Sequence, residues 1–397
     1  MKQHLLHTPE GVRDIYNEEC EKKRYLEEKL QHIVTTYGYH PIQTPSFEFF
    51  DIFGKEVGTV PSRELYKFFD REGNTLVLRP DITPSIARFA SNYYMEETMP
   101  LRFSYKGNTF VNTSSLQGRL KENTQLGAEL IGDDTPDADA ECLSMVVECL
   151  LHAGLKEFQL SVGHVGILQG MMEAAGLDEE EEDRLRDLIM NHNFFGVESF
   201  LAQKHLDTAL QELFSVVGKI YQSAEEFQYA KELARGYEKV YASIARLEKL
   251  QSLCLLYGID KYISFELGVI SSYQYYSGMI LKGYTFGSGE PVVKGGRYDR
   301  LMKHFGKDAP AIGFVIVIDQ LLAALSRQGV AMQAGQRSQL VIYDEAHRED
   351  AIVYARRQRA AGCSVELILK AADKSRADYE AYASRSQAAR IQFMDGE

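Results

Sequence analysis

Residues 16–36 alternate charged and apolar positions at helical spacing until Tyr37-Gly38-Tyr39 stops them. Ile42-Gln43-Thr44-Pro45 then reads as a short strand ended by proline. Further strand-like runs follow at Thr75–Arg79, Leu101–Tyr105 and Leu126–Ile131, a helix at Glu141–His152 and a strand at Glu157–Val162. The first 165 residues thus mix strands and helices in an α+β manner, without regular βαβ alternation. From about 168 to 257 the pattern is helical almost throughout. Strands return at Ile263–Val269, Met279–Tyr284 and Pro291–Val293, and Ala311–Leu325 runs into a helix. A mixed sheet is therefore expected, interrupted by a helical insertion at about 168–257 and then completed, within a domain spanning 1–325. Ser326–Arg337 is rich in Gly and Gln and reads as a linker. Within 338–397, Gln339–Tyr343, Glu349–Ala361 and Ser364–Leu369 predict strand, helix and strand, a small C-terminal α/β unit.

Composition narrows the class. The 397 residues are 45% hydrophobic and 25% charged, as in ordinary globular chains, and the formal net charge is −13. That balance argues against nonspecific DNA binding, which needs clustered Lys and Arg. No run approaches the ~18–20 apolar residues that span a bilayer, and no apolar segment precedes a small-residue cleavage site near the start, so a cytoplasmic protein is expected. The five cysteines, Cys20, Cys142, Cys149, Cys254 and Cys363, are scattered without CxxC or zinc spacing. Cys142 and Cys149, seven apart in an apolar helical pattern, read as buried thiols. The acidic run Leu177–Asp183 suits a solvated first helical turn better than a metal site.

No GxxxxGK[ST], GxGxxG after a strand, HExxH or GxSxG motif is present. Gly287-Ser288-Gly289 lies between strands and reads as a hairpin turn. Three segments carry denser chemistry. In Leu78-Arg79-Pro80-Asp81-Ile82-Thr83-Pro84 a strand ends before a helical first turn, where Asp81 or Thr83 could serve as an N-cap. Between Gly118-Arg119 and Glu129, Gln125 and Glu129 are four apart, so on a strand they share one face and could floor a polar pocket; a solvated sheet face is the plainer alternative. The third is Tyr273-Gln274-Tyr275-Tyr276-Ser277-Gly278.

In this order the segments resemble the catalytic core of histidyl-tRNA synthetase, a class II synthetase fold with a mixed, antiparallel sheet flanked by helices. Tyr37-Gly38-Tyr39 through Pro45 resembles motif 1, which builds the class II dimer interface, and Phe110 through Glu129 resembles motif 2. Tyr275-Tyr276-Ser277-Gly278 is similar to the family's histidine-binding signature YYTG. Gly295-Gly296-Arg297-Tyr298-Asp299 matches GGRYD, and Pro310-Ala311-Ile312-Gly313-Phe314 opens motif 3. The likeness covers roughly residues 8–325. It implies that Asp81, Thr83 and Gln125 hold a histidine α-ammonium, while Glu129 and Tyr275, with Tyr276 beside it, face the imidazole.

The departures concern ATP. Arginine forks suit a developing phosphate charge because they are permanently charged and bidentate. Where the family has arginines, this sequence has Val111, Ser271 and Gln320, and Thr113 replaces a motif 2 glutamate. Arg119 already fits the loop arginine of motif 2. Losing one preorganised donor costs on the order of 10²–10³ in rate, so the loss of three predicts no useful adenylation. The family's Glu is Asp81 here, and Ser271 stands where an arginine would lie near the ligand carboxylate.

A synthetase-like fold without ATP chemistry but with a histidine pocket resembles the regulatory subunits of ATP phosphoribosyltransferase. That resemblance implies a non-catalytic chain in a hetero-oligomer with a short catalytic subunit. It would be needed for the first step of histidine biosynthesis and for allosteric feedback inhibition by histidine as effector, with a homodimer formed through motif 1. No cofactor or metal is expected. Residues 338–397 resemble a trimmed anticodon-binding domain whose acidic end, Asp395 and Glu397, gives no sign of tRNA binding. The alternatives are a divergent histidyl-tRNA synthetase and an amino-acid-sensing pseudoenzyme with another partner.

Overall fold

A long helix, α1 (Asn17–Thr36), leads into β1 (His40–Pro41), β2 (Phe47–Phe49), β3 (Lys67–Phe69) and β4 (Thr75–Leu78). Next come α2 (Thr83–Tyr93), β5 (Leu101–Phe110), β6 (Glu122–Ile131), α3 (Pro136–Ala153) and β7 (Phe158–His164). The helical stretch comprises α4 (Val165–Ala174), α5 (Glu179–Met190), α6 (Phe194–Leu201), α7 (Thr208–Ser215), the two-residue β8 (Ile220–Tyr221), α8 (Ala224–Leu233) and α9 (Glu238–Tyr257). The chain continues through β9 (Ile263–Glu266), β10 (Met279–Thr285), β11 (Val293–Arg297), α10 (Asp299–His304), β12 (Ala311–Val317) and α11 (Ile318–Arg327). It closes with β13 (Gln339–Tyr343), α12 (Arg348–Ala360), β14 (Val365–Leu369), α13 (Arg376–Arg385) and β15 (Arg390–Met394). This computed structural model describes residues 6–54, 59–113, 120–191, 193–204, 206–221, 223–270, 275–332 and 337–396.

Two compact units result, one from 1–14 with Leu26–Ala331 and one from Ile15–Tyr25 with Met332–Glu397. The larger holds a nine-stranded sheet in the order β1-β5-β6-β12-β11-β10-β7-β9-β8. Its centre, from β5 to β7, is antiparallel throughout, and β1 and β9 join in parallel, as expected for a class II synthetase-like α+β fold. In the smaller unit β13 lies between β14 and β15, both parallel to it. The period of two along β13 sends Val341 to one buried cluster with Ala351 and Ala355, and Leu340 and Ile342 to another with Tyr379. The strand-helix-strand reading of this segment thus missed α13 and β15.

Local chemistry explains several boundaries. Thr135 caps α3 by accepting from the Ala138 N–H, Pro136 opens the first turn, and Gly154 ends the helix with φ 105°. The acidic run becomes the first turn of α5, with Asp178 and Glu181 forming a reciprocal capping box. Cys142 and Cys149 are buried free thiols, and Gly287, at φ +79°, turns the β10–β11 hairpin.

Three strand readings need correction. Residues 42–45 are not a strand; pairing stops at Pro41, and the Thr44 and Pro45 carbonyls accept from the Arg79 guanidinium at 2.9 and 3.1 Å. Proline lacks the N–H that a ladder needs. The strand read at Ile263–Val269 ends at Glu266. The one read at Pro291–Val293 instead starts at Val293 and runs through Gly295 and Gly296 to Arg297. Glycines weaken strands in general, but a Cβ on Gly295 would stand 2.5 Å from the Gly313 carbonyl oxygen, so only glycine permits this close pairing. The helix α11 also continues to Arg327, making the first residues of the expected linker helical.

Candidate functional site

Strand alternation and register gather the site on one face of the central sheet. Along β6, Gln125 and Glu129 point the same way, as their spacing predicts. Glu129 pairs in register with Gly313 on β12, which pairs with Gly296 on β11. Both glycines keep the floor open: a Cβ on Gly313 would lie 1.7 Å from Glu129 Oε2. Asp81 and Thr83 enter from the turn that starts α2, and Tyr275 and Tyr276 from the segment before β10. All six predicted residues line one cavity with about 430 Å³ of empty space, counting its open mouth.

Glu129 is 1% exposed and accepts two hydroxyl hydrogen bonds, from Thr83 Oγ1 to Oε1 and from Tyr298 OH to Oε2, each 2.7 Å. Asp81, 4% exposed, accepts from Tyr275 OH at 3.0 Å through Oδ2 and from the Ile82 N–H at 2.7 Å through Oδ1. Neither Asp81 nor Thr83 is the N-cap of α2; that residue is Ile82, which has no capping side chain. The hydroxyl pairings also cut across the grouping drawn from the resemblance, since Thr83 reaches Glu129 and Tyr275 reaches Asp81. Gln125 Oε1 is buried with no hydrogen-bond donor among the described residues, an arrangement that costs on the order of 1–3 kcal/mol unless a ligand N–H meets it.

Burial raises both carboxyls. It pushes Glu129 from 4.5 up to about 8, opposed by the Tyr298 and Thr83 hydroxyls and reinforced by Asp81. Asp81 is also raised by burial, against the Tyr275 hydrogen bond. Groups with perturbed affinities for protons cluster at functional sites. A stability consequence follows. Between about pH 4.5 and 8 the folded chain holds a proton on Glu129 that the unfolded chain releases, so this group's contribution to stability falls as pH rises through that window. The difference in urea midpoint between Glu129→Gln and the unsubstituted chain should therefore move in favour of the variant from pH 5 to pH 9. A difference independent of pH would mean that Glu129 titrates normally.

The phosphate-handling positions look different. Val111 N–H bonds the Lys121 carbonyl at 2.9 Å, as an ordinary strand extension. The Asp319 carboxylate accepts from the Thr124 N–H at 2.6 Å, tying α11 to β6, with Gln320 half-buried beside it. Gly118, Arg119, Ser271, Tyr273 and Gln274 lie outside the described residues.

Two polar members of the lining carry no role in the sequence reading. Tyr298 sits inside the GGRYD motif and holds Glu129, yet no role was read for it. Lys294 immediately precedes the two glycines and also lines the cavity. The signal for it was available: once β11 is extended through Gly295 and Gly296, alternation puts Lys294 on the face of Gly296.

The fold is thus that of the class II synthetase-like proteins, and the described positions that resemble the family's adenylation arginines, Val111 and Gln320, hold none. The family model described as histidyl-tRNA synthetase matches residues 11–321. A protein from Acetivibrio thermocellus named ATP phosphoribosyltransferase regulatory subunit is 38% identical over 376 residues, covering 94% of this chain and 89% of the relative. One of the same name from Ruminiclostridium cellulolyticum is 34% identical over 369 residues, with 93% and 88% covered. A solved structure from Bacillus halodurans, described as an ATP phosphoribosyltransferase regulatory subunit/histidyl-tRNA synthetase, is 30% identical and covers 100% of both chains at a TM-score of 0.86. The histidyl-tRNA synthetase structure from Nostoc, 18% identical with a TM-score of 0.79 over 96% of this chain and 90% of that one, shares the fold. The chain belongs to the family of ATP phosphoribosyltransferase regulatory subunits, within the histidyl-tRNA synthetase-like proteins.

Proposed function

We propose that this chain is the non-catalytic, regulatory partner of a short ATP phosphoribosyltransferase catalytic subunit in the cytoplasm, and that histidine bound in the Asp81–Glu129 cavity sets the activity of that complex. The observation that carries the reading is the convergence of two buried carboxyls and the donorless Gln125 oxygen in one cavity of a family member whose described adenylation positions hold no arginine. Asp81 and Gln125 offer acceptors to an α-ammonium, and Thr83 adds a hydroxyl at the same wall. Glu129 faces the imidazole. With its affinity for protons near that of a histidine side chain, it can pass its proton to the ring and form an imidazolium–carboxylate pair held by Tyr298. Tyr275 and Tyr276 belong to the apolar cluster that walls the cavity, so the ring meets a largely desolvated surface. Homodimerisation through α1 and the following segment is part of the same reading.

Histidine can act at a distance only if it prefers one assembly state, typically by about 1–3 kcal/mol of coupling. The test is phosphoribosyl-ATP formation by the catalytic subunit with and without this chain across a histidine titration. Strong activation that histidine then suppresses is expected. Activation without histidine sensitivity would remove the pocket as sensor. No activation, together with histidine-dependent ATP–pyrophosphate exchange by the chain alone, would make it a synthetase instead.

A further inference from the structure

Histidine is a zwitterion, and the six residues assigned to it above offer no positive charge to its carboxylate. Among the described residues, Lys294 is the only Lys or Arg on the cavity lining. It lies two residues before Gly296 on β11 and so shares the sheet face that carries Gly313 and Glu129. Its register neighbours are Lys282 on β10 and Val315 on β12. The charge of Lys294 reaches the Asp81 carboxyl and holds it lower than burial alone would. A carboxyl and an ammonium therefore face the same small space, as an amino-acid headgroup requires.

The pairing of Lys282 with Lys294 supports an anion there independently. Like charges directly opposite on antiparallel strands repel, and burial first, then Lys294, depress the proton affinity of Lys282 against the charge of Glu266. Lys282 commits its ammonium to the Ile270 carbonyl, 2.6 Å away. A carboxylate beside Lys294 adds an opposite charge to this lysine pair, which an apolar or cationic ligand group would not.

We infer that Lys294 binds the α-carboxylate of the ligand, with Asp81 and Gln125 taking the ammonium. The inference rests on the histidine reading above. In chemical terms, a cation from the sheet floor replaces the arginine that stands as Ser271 in this sequence. Lys294 is then a specificity residue: it selects free amino acids over amines or alcohols of the same side chain.

The experiment is calorimetric titration of the full chain with L-histidine and with L-histidinol, in which an alcohol replaces the carboxylate. Lys294→Met and Lys294→Arg are measured beside the unsubstituted chain, with melting curves to confirm folding. The unsubstituted chain should bind histidine at least about tenfold more tightly than histidinol. Lys294→Met should weaken histidine by roughly 10- to 100-fold, the range for a hydrogen bond to a charged group. It should leave histidinol within about threefold, so that discrimination collapses, and Lys294→Arg should restore part of it. Equal weakening of both ligands, or undiminished discrimination in Lys294→Met, would overturn the role of Lys294 while leaving histidine as ligand. An unsubstituted chain that binds neither ligand would overturn the histidine reading itself.

Discussion

Glu129→Ala is expected to weaken histidine binding by at least about 30-fold, and to blunt histidine inhibition by more than it blunts activation of the catalytic subunit. The reason is the density of commitments at this carboxyl. It sits at 1% exposure, organises the Thr83 and Tyr298 hydroxyls, and is the carboxyl to which the proposed binding mode assigns the imidazole. Truncating one partner of a buried, hydrogen-bonded charge pair costs roughly 2–5 kcal/mol, which at 1.4 kcal/mol per tenfold gives about 30-fold at the lower end. Alanine also leaves Tyr298 and Thr83 without their acceptor, so Glu129→Gln is the companion variant, keeping an oxygen for one hydroxyl while removing the acid. Calorimetry reads the affinity and the coupled phosphoribosyl-ATP assay reads the inhibition. Wild-type histidine sensitivity in both variants would place the sensor elsewhere.

The second large effect is on stability. Asp139→Ala should destabilise the larger unit by about 3–5 kcal/mol, because it strands a buried charge. Arg297, 1% exposed, donates through Nε to Asp139 Oδ1 at 2.7 Å, and Arg246 donates through Nε to Oδ2 at 2.8 Å. The rest of the Arg297 fork is held by the Asp133 and Thr135 carbonyls at 2.9 and 3.0 Å. This network pins β11, and with it Lys294 and Gly296, against the start of α3. Urea unfolding should show the midpoint falling well beyond the shift of a surface substitution such as Asp183→Ala, since Asp183 is mostly exposed and its pairing with Arg186 is of the kind worth ~1 kcal/mol or less. Replacing Asp139 and Arg297 together by Leu and Met should recover much of the loss, because no unpaired buried carboxylate or β11 guanidinium remains. A single variant as stable as the unsubstituted chain would show that the network carries no net weight.

Much of the site could be read before any coordinates. The spacing of Gln125 and Glu129 placed them on one face because a strand has a period of two, and β6 obeys it. Asp81, Thr83, Tyr275 and Tyr276 were found because their motifs are short and local. The missing adenylation arginines were equally plain, since a residue type needs no fold to be seen. Tyr298 and Lys294 escaped for a different reason: consecutive glycines look like a strand breaker until a neighbour strand that needs their missing side chains is known.

What the sequence determined by itself were most of the local elements, the residue types available to a ligand and the absence of an arginine set for phosphate. Helical periodicity, capping and turn residues act within a few positions, so they are legible along the chain. Only the tertiary structure decided which side chains meet. Thr83 and Tyr298 share Glu129, Tyr275 holds Asp81, Lys294 stands opposite Lys282, and Asp139 joins Arg297 to Arg246. These pairings span tens to hundreds of residues and depend on strand register, where a slip of one position would turn every side chain to the opposite face.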